Sequence, residues 1–212
     1  MKHTKNKTNP MTLKKITAGL AIAGIAALVT LAVGNDAQAL GKGPTDEPLQ
    51  TVAKVDLNRY LGNWYEVARL PNRFEKNCIC ATANYSLRNG ETLEGGIKVV
   101  NTCRKESNPE LTKSVTGKAW VSDTETNAKL KVMFFWPFRG DYWVIELGDN
   151  YEYAVVGEPK RGFLWILSRT QKMEQPVLDG IYQRLQTLHG YDISNLITDV
   201  QKTADVCPAD NT

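Results

Sequence analysis

Short segments in which apolar and polar residues alternate recur between residues 62 and 169, and turn-forming residues separate them. The clearest segment begins at Lys129, where Lys129 and Lys131 mark a solvent-facing side. The residues of its other side are therefore predicted to point inward: Leu130, Val132, Phe134 and Trp136. Recurring short strands of this kind predict an all-β sandwich or barrel.

Seven further segments follow the same pattern, which predicts eight consecutive strands in all. They begin near Gly62 and continue at Ala81–Leu87, Gly96–Thr102, Val115–Val121, Trp143–Leu147, Tyr151–Val156 and Phe163–Arg169. The alternation predicts that Tyr85, Val99 and Asn101 share inward faces with their neighbours. In the sixth strand Glu146 marks the outside, so Trp143, Ile145 and Leu147 are predicted to point inward. Asn108–Pro109 is predicted to form a loop.

The apolar period changes from two to that of a helix after the last predicted strand. Between Glu174 and His189 the apolar residues have helical spacing, Pro176 suits a first turn, and Gly190 is placed to end the helix. A short strand is expected near residues 195–200. The fold class is thus an eight-stranded antiparallel up-and-down β-barrel with one C-terminal α-helix packed on its flank. Eight strands leave an interior that can hold one small ligand.

The N-terminal segment has the features of an export signal. Lys14 and Lys15 precede an apolar run over residues 16–33, and Ala37–Ala39 is a small-x-small cleavage pattern. We expect a signal peptide at 1–39, a flexible arm without core residues at 40–54, the barrel and helix at 55–203, and a tail at 204–212. Met11 is an alternative start, and an uncleaved membrane anchor is the alternative to cleavage.

Charge and cysteine content narrow the classes of partner. Residues 1–39 contain five lysines and one aspartate, so residues 40–212 carry a formal net charge of −1 out of the total of +3. No basic surplus remains to bind a phosphate backbone, so no nucleic acid partner is expected. Four cysteines in an exported chain indicate two disulfides, and their spacing does not favour a metal site.

Three motifs give the sequence a resemblance to the lipocalin family. The first is Gly62-Asn63-Trp64 with its continuation to Arg69, the second is Gly148–Tyr151, and the third is Leu167-Ser168-Arg169. In this order and spacing they resemble the branch that contains bacterial outer-membrane lipocalins and apolipoprotein D. The second motif departs from the usual Thr-Asp-Tyr. The resemblance implies structural roles at the closed end of the barrel for Gly62, Trp64, Asp149, Tyr151 and Arg169, with Arg169 packed on Trp64.

The resemblance also implies a small lipophilic ligand inside the barrel, such as a fatty acid or lysophospholipid. Asn101 and Trp143 match positions that line the cavity in this branch, and Asn101 would contact a head group. The expected ligand-binding residues are Tyr85, Val99, Asn101, Leu130, Val132, Phe134, Trp136, Trp143 and Ile145. The competing interpretation is that these side chains fill the interior by packing on one another.

The resemblance further implies a Cys80–Cys207 disulfide, which leaves Cys78 to pair with Cys103. A bond between Cys80 and Cys103 stays open as an alternative. No cysteine directly follows the apolar run, so we expect an exported protein, periplasmic or secreted, that is not lipid-anchored. The expected oligomeric state is a monomer or a weak homodimer.

Two other functions compete with ligand carriage. Enzymatic activity is disfavoured, because His189 is the one histidine after residue 39 and is expected to lie outside the barrel. For the same reason no cofactor, including haem, is expected. The third hypothesis is contact with a protein or with a membrane surface through Trp136, Pro137, Phe138 and Tyr142, where an open rim would lie.

Overall fold

The computed structural model describes residues 47–90 and 92–208, which form an eight-stranded antiparallel β-barrel. Consecutive strands pair in sequence order, and β8 closes the barrel by pairing with β1. The strands are β1 (Gly62–Arg69), β2 (Cys78–Leu87), β3 (Ile97–Lys105), β4 (Asn108–Val121), β5 (Lys129–Phe135), β6 (Phe138–Leu147), β7 (Tyr153–Gly157) and β8 (Leu164–Ser168). The helices are α1 (Leu57–Tyr60), a 3₁₀ turn (Leu93–Gly95) and α2 (Gln175–Thr187). The predicted fold class is therefore confirmed.

Closure of the sheet satisfies the backbone groups that an edge strand would leave unpaired. Because successive strands are antiparallel, the loops between them alternate between the two ends of the barrel. The chain enters through α1 at one end, called the closed end below. The loops after β1, β3, β5 and β7 meet at the other end, called the open end. The predicted signal peptide, residues 40–46 of the predicted arm and residues 209–212 of the tail lie outside the described residues.

Apolar side chains form two clusters, one on each side of the sheet. The inner cluster fills the barrel and includes Trp64, Tyr85, Val99 and Leu130. The outer cluster lies between α2 and the strands β1, β6, β7 and β8, with Ile181 of α2 fully buried in it. Strands that α2 covers are thus apolar on both faces, whereas β5 keeps the alternation of a half-buried strand.

Because both faces of β6 are buried, its predicted orientation is wrong at Trp143 and Ile145, although Leu147 does pack inward. Trp143 and Ile145 belong to the outer cluster, and Val144 belongs to the inner one. The pairing of β6 with β7 shifts register between Val144 and Glu146, so Leu147 packs inward again. Such a bulge places two successive residues on one face. Glu146 does lie outside, as predicted, but α2 buries it, so it did not identify the solvent face.

Helix α2 agrees with its predicted range to within two residues. Pro176 lies in its first turn, and Ile181 and Leu185 form its buried face. Gly190 follows with a φ of 66°, a left-handed conformation that glycine adopts without steric cost. The expected strand near residues 195–200 is reduced to a single bridge between Arg69 and Ile197.

Two predicted loops are more ordered than expected. Leu49 is buried in the outer cluster and Val52 donates a backbone hydrogen bond to Val144, so residues 47–54 of the predicted arm do contain core residues. Asn108 and Pro109 begin β4 instead of forming a loop, because β4 extends to the turn after Lys105. Apolar periodicity could not identify either segment, since neither repeats a pattern.

Two disulfides fix the start of β2. Cys78 bonds to Cys103 on β3, and Cys80 bonds to Cys207 in the C-terminal segment. This is the pairing that the family resemblance implied. Among residues 47–90 and 92–208, no helix has both the length and the apolar character needed to cross a bilayer.

Candidate functional site

The closed end is sealed by Trp64 and Arg169. Trp64 is fully buried and donates its indole N–H to the carbonyl of Tyr60 over 2.9 Å. The Arg169 guanidinium carbon lies 3.7 Å from the centre of the Trp64 ring system, within cation–π range. Arg169 also donates to the carbonyls of Asn63 and Arg59 over 2.8 and 2.7 Å. One side chain thus ties α1 and β1 together across the barrel floor.

The other predicted structural residues surround this contact. Gly62 has a φ of 95°, and a Cβ there would lie 3.4 Å from an Arg169 nitrogen, so its lack of a side chain suits both backbone and packing. Tyr151 accepts the backbone N–H of Asp56 on its hydroxyl over 2.7 Å. The Asp149 carbonyl accepts from Arg59 over 3.2 Å, and the Asp149 side chain makes no hydrogen bond to another described residue.

The interior above this floor is closely packed. A cavity of about 10 Å³ lies among side chains of β2 to β6 and α1, which is space for about one water molecule. Its lining consists of Tyr60, Tyr85, Ile97, Val99, Ala119, Leu130, Val132 and Tyr142. Four of the predicted ligand residues, Tyr85, Val99, Leu130 and Val132, therefore meet at one place.

Three tyrosine hydroxyls form a chain beside this cavity. Tyr142 lies 2.7 Å from the hydroxyl of Tyr60 and 2.9 Å from that of Tyr85. Burial raises the pKa of all three phenols, so they stay neutral at physiological pH. Sequence reasoning missed Tyr60 and Tyr142 as interior residues. Tyr60 precedes the first alternating segment, and Tyr142 falls on the face that the wrong phase of β6 assigned to solvent.

The remaining predicted ligand residues lie in different places. Phe134 packs on the inner cluster against Gly117, where a Cβ would come within 2.6 Å of its ring. The Asn101 side-chain oxygen is buried and accepts no hydrogen bond from the described residues. Trp136 is 83% exposed at the β5–β6 turn, so it does not line the wall. β5 ends at Phe135, and the alternation stops one residue short of Trp136.

A buried polar cluster near the open end was also missed. Glu66 lies opposite Leu167, whose side chain packs in the inner cluster, so Glu66 points into the barrel. It accepts from Arg69 over 2.6 Å, and Glu75 accepts from the Trp165 indole over 2.9 Å. Burial, and then the Glu75 carboxyl, raise the pKa of Glu66 well above its usual value, against the opposing effect of Arg69. Glu66 lies two residues after Trp64 in the same strand, so both side chains are on one face. This spacing could have identified Glu66 as an interior residue.

A closed eight-stranded barrel with one sealed end and a flanking helix is the architecture of a lipocalin. A family model described as a Lipocalin-like domain matches residues 55–201, and the chain belongs to this family.

Similar proteins support the same assignment. The outer membrane lipoprotein Blc of Vibrio cholerae is 42% identical over 152 residues, covering 71% of this chain and 85% of that protein. Apolipoprotein D of Mus musculus is 36% identical over 205 residues, covering 91% and 98%. Among solved structures, insecticyanin of the tobacco hornworm Manduca sexta matches with a TM-score of 0.58 at 22% identity, covering 76% of this chain and 88% of that one. That likeness concerns the fold.

Proposed function

We propose that this lipocalin binds a small lipophilic ligand, a fatty acid or lysophospholipid, inside the barrel. One observation carries the proposal: apolar side chains from four adjacent strands converge on a common interior above a sealed floor. Each methylene that leaves water for such a wall contributes about 0.8 kcal/mol. A chain of about a dozen carbons therefore gains about 10 kcal/mol, of which about 6 kcal/mol remains after the lowest association cost of about 4 kcal/mol; this corresponds to a Kd of tens of micromolar.

The small cavity requires that side chains move when an alkyl chain enters. Space for about one water cannot hold several methylenes. Phe134 is the residue that we expect to shift. It is only partly buried, and it lies against Gly117, where no side chain holds it from below. Displacing one half-buried ring costs less than displacing Leu130 or Val99, which are almost fully buried.

Asn101 would contact the polar end of the ligand. Its buried oxygen lacks a donor among the described residues, and an unsatisfied buried acceptor costs about 1–3 kcal/mol. A hydroxyl or ammonium group on the ligand would supply that donor. Trp143 and Ile145 are left out of this proposal because they belong to the outer cluster.

The test compares two adjacent phenylalanines. Phe134→Ala removes the ring that occupies the interior, and Phe135→Ala removes a ring that is 64% exposed. With lauric acid as the probe, titration calorimetry should show tighter binding to the Phe134→Ala protein by about threefold to tenfold, and unchanged binding to the Phe135→Ala protein. Equal affinities of both variants, or no saturable binding of lauric acid or lysophosphatidylcholine to the parent protein, would refute the proposal. Native mass spectrometry of protein isolated from its own host would then identify the ligand carried.

An enzyme remains the second candidate function, and the described residues offer it little support. All four cysteines form disulfides. His189 lies outside the barrel, with its Nε2 3.1 Å from Glu146. The described interior therefore offers neither a free cysteine nor a histidine that could activate a serine.

We further propose that the protein is exported and acts in the periplasm or outside the cell. Two disulfides are stable in an oxidising compartment. Because all four cysteines are paired, a lipid on any of them would cost a disulfide. Fractionation of host cells, with the protein found in the cytoplasm, would contradict this proposal.

A further inference from the structure

Three large aromatic side chains are exposed together at the open end. Phe135 is 64% exposed, Trp136 83% and Phe138 76%, and all three lie at the tip of the β5–β6 hairpin. We call them the aromatic tip. Single exposed apolar residues are ordinary, but a contiguous aromatic cluster marks an interaction surface. Trp and Phe at a protruding tip are also the side chains that suit the boundary between water and lipid.

Basic side chains lie at the same end of the barrel as the aromatic tip. Lys105 donates to the backbone carbonyl of Lys76 over 2.9 Å, which joins the β1–β2 loop to the end of β3. Lys113 lies opposite Cys103 in the β3–β4 pairing, so Lys105 and Lys113 are on neighbouring strands at the open end. Partial desolvation, and then the charges of Lys113 and Lys76, lower the pKa of Lys105. We call Lys76, Lys105 and Lys113 the lysine cluster. The β4–β5 register places Lys113 about three residues, or about 10 Å, beyond the level of Phe135.

The charge of the described residues is divided between the two ends of the barrel. The four open-end loops, residues 70–77, 104–113, 133–140 and 158–163, contain eight basic and four acidic side chains. The rest of the described residues contain 12 basic and 15 acidic side chains. The open end is therefore +4 and the remainder −3. A positive surface around an apolar tip is complementary to anionic lipid head groups.

Three of the four acids at the open end are occupied within the protein. Glu75 accepts from Trp165, Glu158 accepts backbone N–H groups of its own loop, and Glu106 lies 3.6 Å from the Lys202 ammonium. The lysine cluster has no carboxylate within ion-pair distance in the described residues. Its charge is thus available to a partner.

We propose that the open end docks on an anionic membrane surface, with the aromatic tip and the lysine cluster both in its head-group region. A second copy of this chain is a poorer partner. Joining two open ends would place +4 against +4, and like charges across an interface are unfavourable. This docking does not depend on the ligand function, because it needs no occupied interior.

The experiment uses the full chain and vesicles of brominated phosphatidylcholine, with and without 25 mole per cent phosphatidylglycerol. Residues 16–33 are apolar and can bind vesicles themselves, so pelleting is not the readout. The readout is quenching of Trp136 by brominated acyl chains, taken as the difference between the parent protein and Trp136→Phe. Quenching is expected with the anionic vesicles and much less with the neutral ones.

A matched pair of triple variants tests the charge argument. Replacing the lysine cluster with Gln should weaken partitioning about fivefold per lysine, and on the order of 100-fold together. The control replaces Lys54, Lys98 and Lys172, which are exposed and lie outside the four open-end loops, and should partition like the parent. Two results would overturn the proposal: no quenching of Trp136, or equal weakening by the control variant. A dimer that forms through the aromatic tip in sedimentation experiments would assign the surface to a second copy instead. Lauric acid titration without vesicles tests the ligand function separately.

Discussion

Removal of the Arg169 guanidinium is the sharpest test of how the closed end is held. In Arg169→Ala, the hydrogen bonds to Asn63 and Arg59 and the contact with Trp64 are lost. Because the side chain is partly exposed, we assign the two bonds about 1 kcal/mol each, below the range of about 1.5–3 kcal/mol for buried charged donors. The contact with the indole contributes about 1 kcal/mol more. The free energy of unfolding should therefore fall by about 3 kcal/mol.

Urea unfolding followed by far-UV circular dichroism measures this loss. In thermal unfolding, a loss of about 3 kcal/mol should lower the Tm of a domain of this size by about 6–12 °C. Arg169→Lys keeps the charge but cannot reach both carbonyls, so its loss should be intermediate. Arg59→Ala is the control at the same end: Arg59 is exposed, and its contacts with the Tyr151 ring and the Asp149 carbonyl should together contribute about 1 kcal/mol. If Arg169→Ala is no less stable than Arg59→Ala, the contacts of Arg169 do not stabilise the closed end.

Further predictions concern the disulfides and pH. The Cys80–Cys207 bond closes a loop of 127 residues and the Cys78–Cys103 bond one of 25, so chain entropy assigns them about 5 and about 3.5 kcal/mol. Replacing each pair with Ala and measuring urea unfolding should reproduce that order, and the reverse order would contradict the chain-entropy argument. Burial alone would raise the pKa of Glu146, but hydrogen bonds from its histidine and arginine partners make the net shift downward. A lowered carboxyl pKa stabilises the fold above about pH 4.5, and this contribution is lost as pH falls through the folded-state pKa. Glu146→Gln should therefore flatten the fall in stability between pH 5 and 3; an unchanged slope would count against this.

The sequence was informative where a strand has one wet face and one dry face. β5 alternates lysine with apolar residues, and Leu130, Val132 and Phe134 do point inward. Trp136 was assigned to the same face only because the alternation was extended one residue past the end of the strand. It lies in the turn, 83% exposed.

β6 could not be oriented from its sequence, because both of its faces are buried. α2 covers Trp143 and Ile145, and the barrel interior takes Val144. The bulge before Glu146 then removes the simple period of two. Hydrophobicity distinguishes buried from exposed positions but does not distinguish two buried environments.

Interior polar residues were the other limit of the sequence. Tyr60 and Glu66 both face the interior, yet each would ordinarily be read as surface. What retains them is a hydrogen-bond partner: Tyr142, which is 82 residues away in the sequence, for Tyr60, and Arg69, which is itself bonded to the carbonyl of Cys78, for Glu66. The Tyr60–Tyr142 pair in particular forms only when β6 comes close to α1 in the folded barrel.

The outer cluster gives the barrel wall an uneven stiffness. Helix α2 packs on β1, β6, β7 and β8, so an outward movement of these strands would disrupt the helix packing. Within the described residues no element packs on the outside of β4 and β5, and much of the outer face of β4 is exposed. We expect β4 and β5, next to Phe134, to fluctuate more than the strands that α2 covers. Amide hydrogens of β4 and β5 should accordingly exchange faster than those of β7 and β8. Binding of a lipophilic ligand should slow exchange most in β4 and β5.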